Sequence, residues 1–130
     1  MKKILIVEDD KMLSTIFEMY LAELGYELVD VVNSGKAAET ACSENKIDVI
    51  LMDIHINGKI DGIETTKLIK EKFDIPVIFI SSDVDEQTIK RAITNNTYGF
   101  LVKPVYKNNL RSTIEFAYEK HKFEKQLEQL

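Results

Sequence analysis

Charged and polar side chains directly follow four short apolar runs of this chain, where the strands of a sheet would end. They are, in chain order, Glu8, Asp9 and Asp10 after residues 4–7, Asp53 after residues 47–52, Ser81 and Ser82 after residues 77–80, and Lys103 after residues 100–102. In an open parallel sheet the carboxyl ends of the strands share one edge, and ligands bind at that edge. Carboxylates, a hydroxyl and an ammonium meeting there can hold a divalent metal and a phosphoryl group.

The charges of these side chains favour Mg²⁺ as the metal. Glu8, Asp9 and Asp53 contribute −3 and Lys103 contributes +1, which leaves −2 for one divalent cation to cancel. Oxygen ligands without a nearby cysteine suit Mg²⁺ better than zinc. A carboxylate can attack phosphorus and form an acyl phosphate, provided that positive charge neutralises the phosphoryl oxygens. Asp53 is the candidate nucleophile, because the run before it is typical of a buried strand.

The chain alternates strand-like and helix-like segments, a pattern that predicts βαβ units and a parallel sheet. Strands are predicted at about residues 3–7, 27–32, 48–52, 77–81 and 99–102. Right-handed crossovers would place helices on both faces of that sheet. The strands are apolar almost throughout, as they must be when both faces are covered.

Apolar residues at helical spacing fill the segments between these strands. In the first helix Met12, Ile16, Met19 and Tyr20 share one face, and Gly25 is predicted to end it. Ser34 is predicted to cap a second helix that runs to about residue 45. Further helices are predicted at about residues 62–73, from about residue 88 to residues 95–96, and from about residue 107 towards the C-terminus.

Composition narrows the classes of protein that this chain can belong to. At 130 residues, 45% hydrophobic and 30% charged, it suits one globular domain, and its net charge of −5 argues against a nucleic-acid-binding surface. No run of about 18 apolar residues is long enough to span a membrane, and the four before Glu8 are too few for a secretory signal. Cys42 is the only cysteine, which fits a reducing cytosol and a small packed thiol.

Taken together, these features resemble the receiver domain of two-component response regulators, of the chemotaxis-regulator type, over about residues 3–120. The matching motifs are the acidic pair within residues 4–10, Asp53 within residues 51–54, the Asp61–Glu64 segment, Ser81 after residues 76–80, and Lys103-Pro104. Each motif is weak alone, but their joint order is specific. The resemblance implies an α/β, flavodoxin-like fold: a doubly wound five-stranded parallel sheet of order 2-1-3-4-5 with helices on both faces. It also implies a receiver domain at residues 1–120 and a C-terminal extension of the last helix at residues 121–130.

The resemblance implies a role for each residue of the site. Asp53 would accept a phosphoryl group from a sensor histidine kinase or a phosphotransfer protein. Asp9, Asp53 and the backbone carbonyl of His55 would hold Mg²⁺, and Glu8 would act through a water bound to the metal. Lys103 would pair with the phosphoryl group.

The same resemblance implies that Ser81 hydrogen-bonds the phosphoryl group and that Ser81 and Phe100 together switch the interaction with a downstream effector domain or protein. Such a cytoplasmic domain would catalyse only its own phosphorylation and dephosphorylation, and would contact neither nucleic acid nor membrane. The Lys103-Pro104 peptide bond is expected to be cis.

Several features depart from the commonest family pattern. Ser81 stands where threonine is usual, and Phe100 stands where tyrosine is frequent, so the switch keeps an aromatic ring without its hydroxyl. The loop at residues 57–61 is one residue longer than the common form. His55 and Asp83 occupy positions that tune the lifetime of the acyl phosphate in the family, so rates and partners are the properties that these changes affect.

Three other functions share parts of this pattern. An FMN carrier of the same fold would need a phosphate cradle after the first strand, where Glu8, Asp9 and Asp10 would repel phosphate. A phosphatase of the haloacid-dehalogenase type would need a second acid at His55. A degenerate receiver would act only as a scaffold that is never phosphorylated. The sequence leaves open whether the chain is a complete regulator or the N-terminal piece of a longer protein.

The last helix carries a second apolar stripe that predicts weak self-association into a homodimer. Its members step by four and three residues and are Phe116, Lys120, Phe123, Leu127 and Leu130, with Lys120 as the one interruption. A frayed, solvated tail is the alternative for the same residues.

Overall fold

The computed structural model describes all 130 residues and shows a five-stranded sheet with five helices. The elements are β1 Lys3–Val7, α1 Lys11–Leu24, β2 Glu27–Val32, α2 Gly35–Glu44, β3 Val49–Asp53, α3 Gly62–Lys72, β4 Val77–Ser81, α4 Glu86–Thr94, β5 Gly99–Val102 and α5 Lys107–Glu128. All strand pairs are parallel, in the order β2-β1-β3-β4-β5. The predicted flavodoxin-like fold is therefore confirmed, with β3 one residue later than expected.

The sheet separates two apolar layers, because successive side chains of each strand point to opposite faces. One layer lies under α1 and α5 and contains Phe17, Leu21, Leu110 and Ile114 with strand residues such as Leu51. The other lies under α2, α3 and α4; its members include Leu5, Ala38, Cys42, Met52, Ile63, Ile69, Phe79 and Ala92. Cys42 is packed inside this layer, and burial raises the pKa of its thiol to about 11.

Local capping signals set the ends of the helices as the sequence predicts. Gly25 ends α1 in the left-handed region, at φ 83°, which costs glycine little. The Ser34 side chain accepts a hydrogen bond from the amide of Ala37 and begins α2. Asp61 and Glu64 form a reciprocal capping box at the start of α3. The caps at Ser34 and Asp61 fix the starts of α2 and α3 at the carboxyl edge of the sheet, whereas Gly25 lies at the opposite edge, before β2.

The apolar face predicted for α1 is only partly the buried one. Met12 and Met19 are 76% and 58% exposed, whereas Phe17 and Leu21 are buried and Tyr20 packs partly buried against the same layer. The helix carries two apolar stripes offset around its axis, and the one that contains Phe17 and Leu21 is packed on the sheet. Periodicity alone could not choose between them, because both stripes repeat at helical spacing.

Helix α4 is packed less firmly than the others. Only Thr88 and Ala92 of its residues are buried, and Ile93 is 67% exposed. Its position therefore depends largely on polar contacts, which are described below. No helix is long and apolar enough to cross a membrane.

Candidate phosphoryl-transfer site

Three carboxylates meet at the carboxyl edge of the sheet. Strands β1 and β3 pair with Val7 opposite Met52, so the acidic residues that come next on each strand lie side by side. Glu8, Asp9 and Asp53 each offer an oxygen, and these atoms lie within 4.8 Å of one another. The sequence predicted this group, and the parallel register is what assembles it.

Lys103 reaches the same carboxylates from the end of β5. Its Nζ lies 2.9 Å from Asp53 Oδ2 and 3.5 Å from Glu8 Oε1. Burial alone would lower the pKa of Lys103, but its hydrogen bond to Asp53 and the charges of Asp53 and Glu8 raise it above the usual value. The lysine is therefore a fixed positive charge beside Asp53. The Lys103-Pro104 peptide bond that follows is cis, which confirms the expectation from the sequence.

Glu8 is the least satisfied group of the site. Its Oε2 accepts a hydrogen bond from the amide of Asp10 at 3.1 Å, but its Oε1 is buried without a hydrogen-bond partner. The ammonium of Lys103, 3.5 Å away, forms an ion pair with Oε1. Burial first, and then the hydrogen bond and charge of Asp53, raise the pKa of Glu8 to about 8.

The donor set fits a hard divalent cation. It consists of carboxylate oxygens only, and one buried oxygen of this negatively charged cluster, Glu8 Oε1, accepts no hydrogen bond. Protonation of Glu8 is the other way to reduce the negative charge of the cluster. The raised pKa of Glu8 means that the folded protein favours the protonated form. A cation and a proton would therefore compete for the same group of oxygens.

The two oxygens of Asp53 have different partners. Oδ2 accepts a hydrogen bond from Nζ of Lys103, while Oδ1 accepts one from the backbone amide of His55 at 3.0 Å. The imidazole of His55 is exposed and lies outside the carboxylate group, with Nε2 3.7 Å from Asp83 Oδ2. Only the backbone carbonyl of His55 was predicted as a ligand, and the position of its ring agrees with that restriction.

Ser81 and Phe100 occupy neighbouring strands beside this group. Ser81 is fully buried at the end of β4, where its Oγ accepts a hydrogen bond from the amide of Asp83 at 2.9 Å. Asp83 in turn accepts a longer bond, 3.4 Å, from the Thr88 hydroxyl of α4. Phe100, in β5, is half-buried against the layer under α2, α3 and α4. A short polar path therefore joins the hydroxyl of Ser81 to α4.

Two features of the site were missed by sequence reasoning. A Cβ on Gly62 would lie 2.1 Å from the backbone oxygen of Asp53, so α3 can begin this close to the site only with glycine. Arg91 of α4 pairs with Asp61, the N-cap of α3, with 2.8 Å between Nη2 and Oδ2. The Asp61-Gly62 motif was the available signal for the first feature, whereas the partner of Arg91 depends on tertiary structure.

Known proteins resemble this chain in sequence. A family model described as response regulator receiver domain matches residues 4–115. The transcriptional regulatory protein KdpE of Staphylococcus aureus is 35% identical over 112 residues, which cover 86% of this chain and 48% of that protein. The transcriptional regulatory protein CrdR of Helicobacter pylori is 34% identical over 116 residues, which cover 88% of this chain and 54% of that protein. The chain thus spans about half the length of these two relatives.

Solved structures resemble the fold over nearly its whole length. The signal receiver domain of a modulated diguanylate cyclase from Desulfovibrio desulfuricans is 35% identical, with a TM-score of 0.88 over 94% of this chain and 97% of that chain. The receiver domain of a sensor histidine kinase from Pseudomonas aeruginosa, which has a magnesium ion coordinated in its active-site cleft, is 24% identical. Its TM-score is 0.82 over 91% of this chain and 98% of that chain, a likeness that concerns the fold.

Proposed function

The chain belongs to the response regulator receiver family, and from that premise we propose that Asp53 takes a phosphoryl group from a sensor histidine kinase or a phosphotransfer protein in a reaction that requires Mg²⁺. The observation that carries this proposal is the pairing of a buried Asp53 with Lys103 beside two further carboxylates. The chain would act as a signalling domain that catalyses only its own phosphorylation and dephosphorylation.

Each side chain has a distinct task in this proposal. Asp53 attacks phosphorus with a carboxylate oxygen, and the P–N bond to the donor histidine breaks as the O–P bond forms, so the donor imidazole leaves with the electron pair of the P–N bond. The ammonium of Lys103 pairs with the phosphoryl oxygens. Asp9, Asp53 and the backbone carbonyl of His55 would hold Mg²⁺, with Glu8 acting through a water molecule. Bound Mg²⁺ would supply positive charge that offsets the negative charge of the phosphoryl group.

Labelling with a small phosphodonor tests this function directly. Acetyl phosphate or phosphoramidate should phosphorylate the wild-type protein in Mg²⁺, with the modification mapped to Asp53, and EDTA should abolish the reaction. Asp53→Ala should not be labelled, whereas Asp30→Ala, which removes an exposed carboxylate of β2, should react normally. Labelling of Asp53→Ala at the wild-type level, or labelling that is indifferent to EDTA, would exclude the proposal.

The same experiment separates the proposal from a scaffold that is never phosphorylated. A degenerate receiver would bind partners but would not react, whatever the metal. The geometry favours a reactive site, because every predicted polar position at this edge has kept a competent group: Glu8, Asp9, Asp53, Ser81 and Lys103.

We propose that Ser81 and Phe100 transmit the effect of phosphorylation from the site to the surface that binds an effector. The Ser81 hydroxyl would move towards the new phosphoryl oxygens and give up the Asp83 amide that it now accepts from. Phe100 would fill the space that Ser81 vacates, which would shift the face formed by α4, β5 and α5 and so change the binding of an effector domain or protein. Such a switch is a population shift between two packings.

Beryllofluoride, a phosphoryl mimic, provides the test of this switch. Chemical shifts of the free and bound protein should differ at Ser81, Phe100 and along α4. One unchanged arrangement of both side chains would mean that the signal leaves by another route.

Three further points belong to the same proposal. Residues 1–120 would form the receiver domain and residues 121–130 an extension of α5, through which two copies would associate weakly.

The partners of this chain would be proteins, and it would make no direct contact with nucleic acid or membrane. The domain would be located in the cytoplasm, where histidine kinases expose their phosphorylated domains.

A further inference from the structure

Residues 119–130 lie against the domain through polar side chains, and none of these residues is buried. His121 Nε2 lies 2.8 Å from Asp74 Oδ1, and Lys125 forms an ion pair with the same carboxylate. The hydroxyl of Tyr98 donates a hydrogen bond to Glu124. Docking of these last turns therefore depends on polar contacts at the surface, and such contacts open more readily than a buried apolar interface.

Tyr98, the residue before β5, is the centre of this contact. Its ring packs edge-to-face with the ring of His121, at 5.6 Å between centroids. The Nζ atoms of Lys70 and Lys120 lie 5.3 and 5.6 Å from the Tyr98 centroid, within the range of cation–π attraction. Burial and the hydrogen bond to Glu124 raise the pKa of Tyr98 to about 12, so its hydroxyl remains a donor at neutral pH.

Lys70 joins the same centre to the end of α4. Its Nζ donates to the backbone carbonyl of Asn95 at 3.3 Å and to that of Asn96, and both carbonyls follow the last turn of α4. Burial lowers the pKa of Lys70 to about 8, which fits an amine held between packed elements. Because α4 buries only Thr88 and Ala92, it relies on contacts of this kind to keep its position.

We propose that Lys70 and Tyr98 form a latch that couples the position of α4 to the docking of the last turns of α5. When the end of α4 moves, the carbonyls that hold Lys70 move with it, and the amine leaves the face of Tyr98. The contacts of Tyr98 with His121 and Glu124 then loosen. The coupling is reciprocal, so release of the α5 turns also frees the end of α4.

The link between this latch and phosphorylation rests on the proposed function, since occupancy of Asp53 is what would move α4. The phosphorylated state would then hold the last turns of α5 more loosely than the free state does. Those turns carry Phe123 and Leu127, both exposed, so loosening would change how these side chains are presented to another protein.

Hydrogen exchange on the full chain tests the coupling without any phosphoryl group. Lys70→Met should speed amide exchange in residues 119–128 by about threefold or more, and Glu124→Ala should do the same in residues 92–97. Lys67→Met and Glu119→Ala are matched controls, because both side chains are exposed and make no hydrogen bond or ion pair. If Lys70→Met speeds exchange at the end of α4 but not in residues 119–128, and Glu124→Ala speeds it in α5 but not in residues 92–97, the two helices are not coupled and the latch is wrong.

The link to phosphorylation is tested by the same measurement with Mg²⁺ and beryllofluoride, whose binding is followed separately by fluorine NMR. Exchange in residues 119–128 should rise in the wild type, and Lys70→Met should bind beryllofluoride about twofold or more tightly, as reciprocity requires. Binding without any change in exchange would break the link between latch and site. Failure to bind would instead count against the proposed function, and the comparison of Lys70→Met with Glu124→Ala would still decide the latch.

Discussion

Glu8 is the residue of the site whose environment most changes its chemistry. Its pKa is raised from 4.5 to about 8, so the unfolded chain releases this proton at a lower pH than the folded protein does. In the absence of metal, folding stability should therefore fall as pH rises between these two values, and the loss should be complete above about pH 8.

Glu8→Gln should remove this dependence on pH. The amide resembles the protonated carboxyl in shape, so the metal-free variant should be about 1–3 kcal/mol more stable than wild type near the upper pH and nearly equal to it below the lower one. Urea unfolding in EDTA at both pH values measures the difference, with Glu71→Gln as an exposed control. Parallel pH profiles for wild type and Glu8→Gln would contradict the proposed protonation.

Asp9 gives a second prediction at the scale of one residue. Millimolar Mg²⁺ should raise the melting temperature of the wild type, because the cation binds the folded cluster and finds no assembled site in the unfolded chain. Asp9→Asn should stabilise the metal-free protein by removing one crowded charge, and should respond less to Mg²⁺. Thermal unfolding with and without the cation decides, and an unresponsive wild type would mean that these carboxylates do not act together.

Gly62 shows how closely α3 approaches the phosphoacceptor. Gly62→Ala should cost about 2 kcal/mol or more, because the added Cβ meets the backbone oxygen of Asp53 and must push β3 and α3 apart. Gly58→Ala is the comparison: its site is open but its φ is +116°, so it carries backbone strain without a clash. Only Gly62→Ala should also slow labelling of Asp53. Equal effects of the two variants on labelling would refute a special role for the close approach.

Among the elements, α4 is the one held mainly by charge. Arg91→Gln should leave overall stability within about 1 kcal/mol of wild type, because the pair with Asp61 is half-exposed. It should nevertheless speed hydrogen exchange along α4, since few buried side chains remain to hold the helix. Lys90→Gln, which loses only an exposed pair with Glu86 in the same helix, is the control. Equal exchange in the two variants would show that Arg91 does not position α4.

A helix or strand could be predicted from the sequence where a single local pattern was enough to define its position. Continuous apolar runs placed β1, β3 and β4 to within a residue, because a strand buried on both faces is apolar almost throughout. Gly25 and Ser34 fixed helix ends through local geometry. The inward face of α1 failed, because Met12 and Phe17 belong to two stripes of equal period, and only tertiary packing selects one.

At the scale of the whole molecule, α5 offers a surface beyond the domain. Leu110, Ile114 and Ala117 are buried against the sheet. The second stripe is exposed: Phe116 is 63%, Phe123 60% and Leu127 51% accessible to solvent. The predicted association through this stripe should be weak, because about two heptads make a short coiled coil.

Sedimentation of the full chain tests this association. Wild type should show a monomer–dimer equilibrium at high concentration, and a chain that ends at Tyr118 should be monomeric. Leu127→Glu should also be monomeric, whereas Met19→Glu, which charges an exposed apolar residue of α1, should still associate. Monomers throughout, with and without phosphorylation, would exclude a self-association surface on α5.

The candidate site could be predicted because parallel strands end at a common edge, which turns separate positions in sequence into neighbours. The contacts between helices could not be predicted in this way. Nothing in the sequence pairs Arg91 with Asp61, or Lys70 with the carbonyls after α4, because these contacts depend on how far each helix extends over the sheet. The same limit applies to the pKa of Glu8, which depends on burial.

The sheet that divides the core into two layers also divides the consequences of mutation. A substitution at Phe17 or Ile114 changes packing in the layer under α1 and α5. A substitution at Phe79 or Ala92 changes packing in the layer that α4 covers, and the backbone of the sheet separates the two layers. The changes in the free energy of unfolding should therefore be additive for two substitutions in opposite layers and non-additive for two contacting substitutions within one layer.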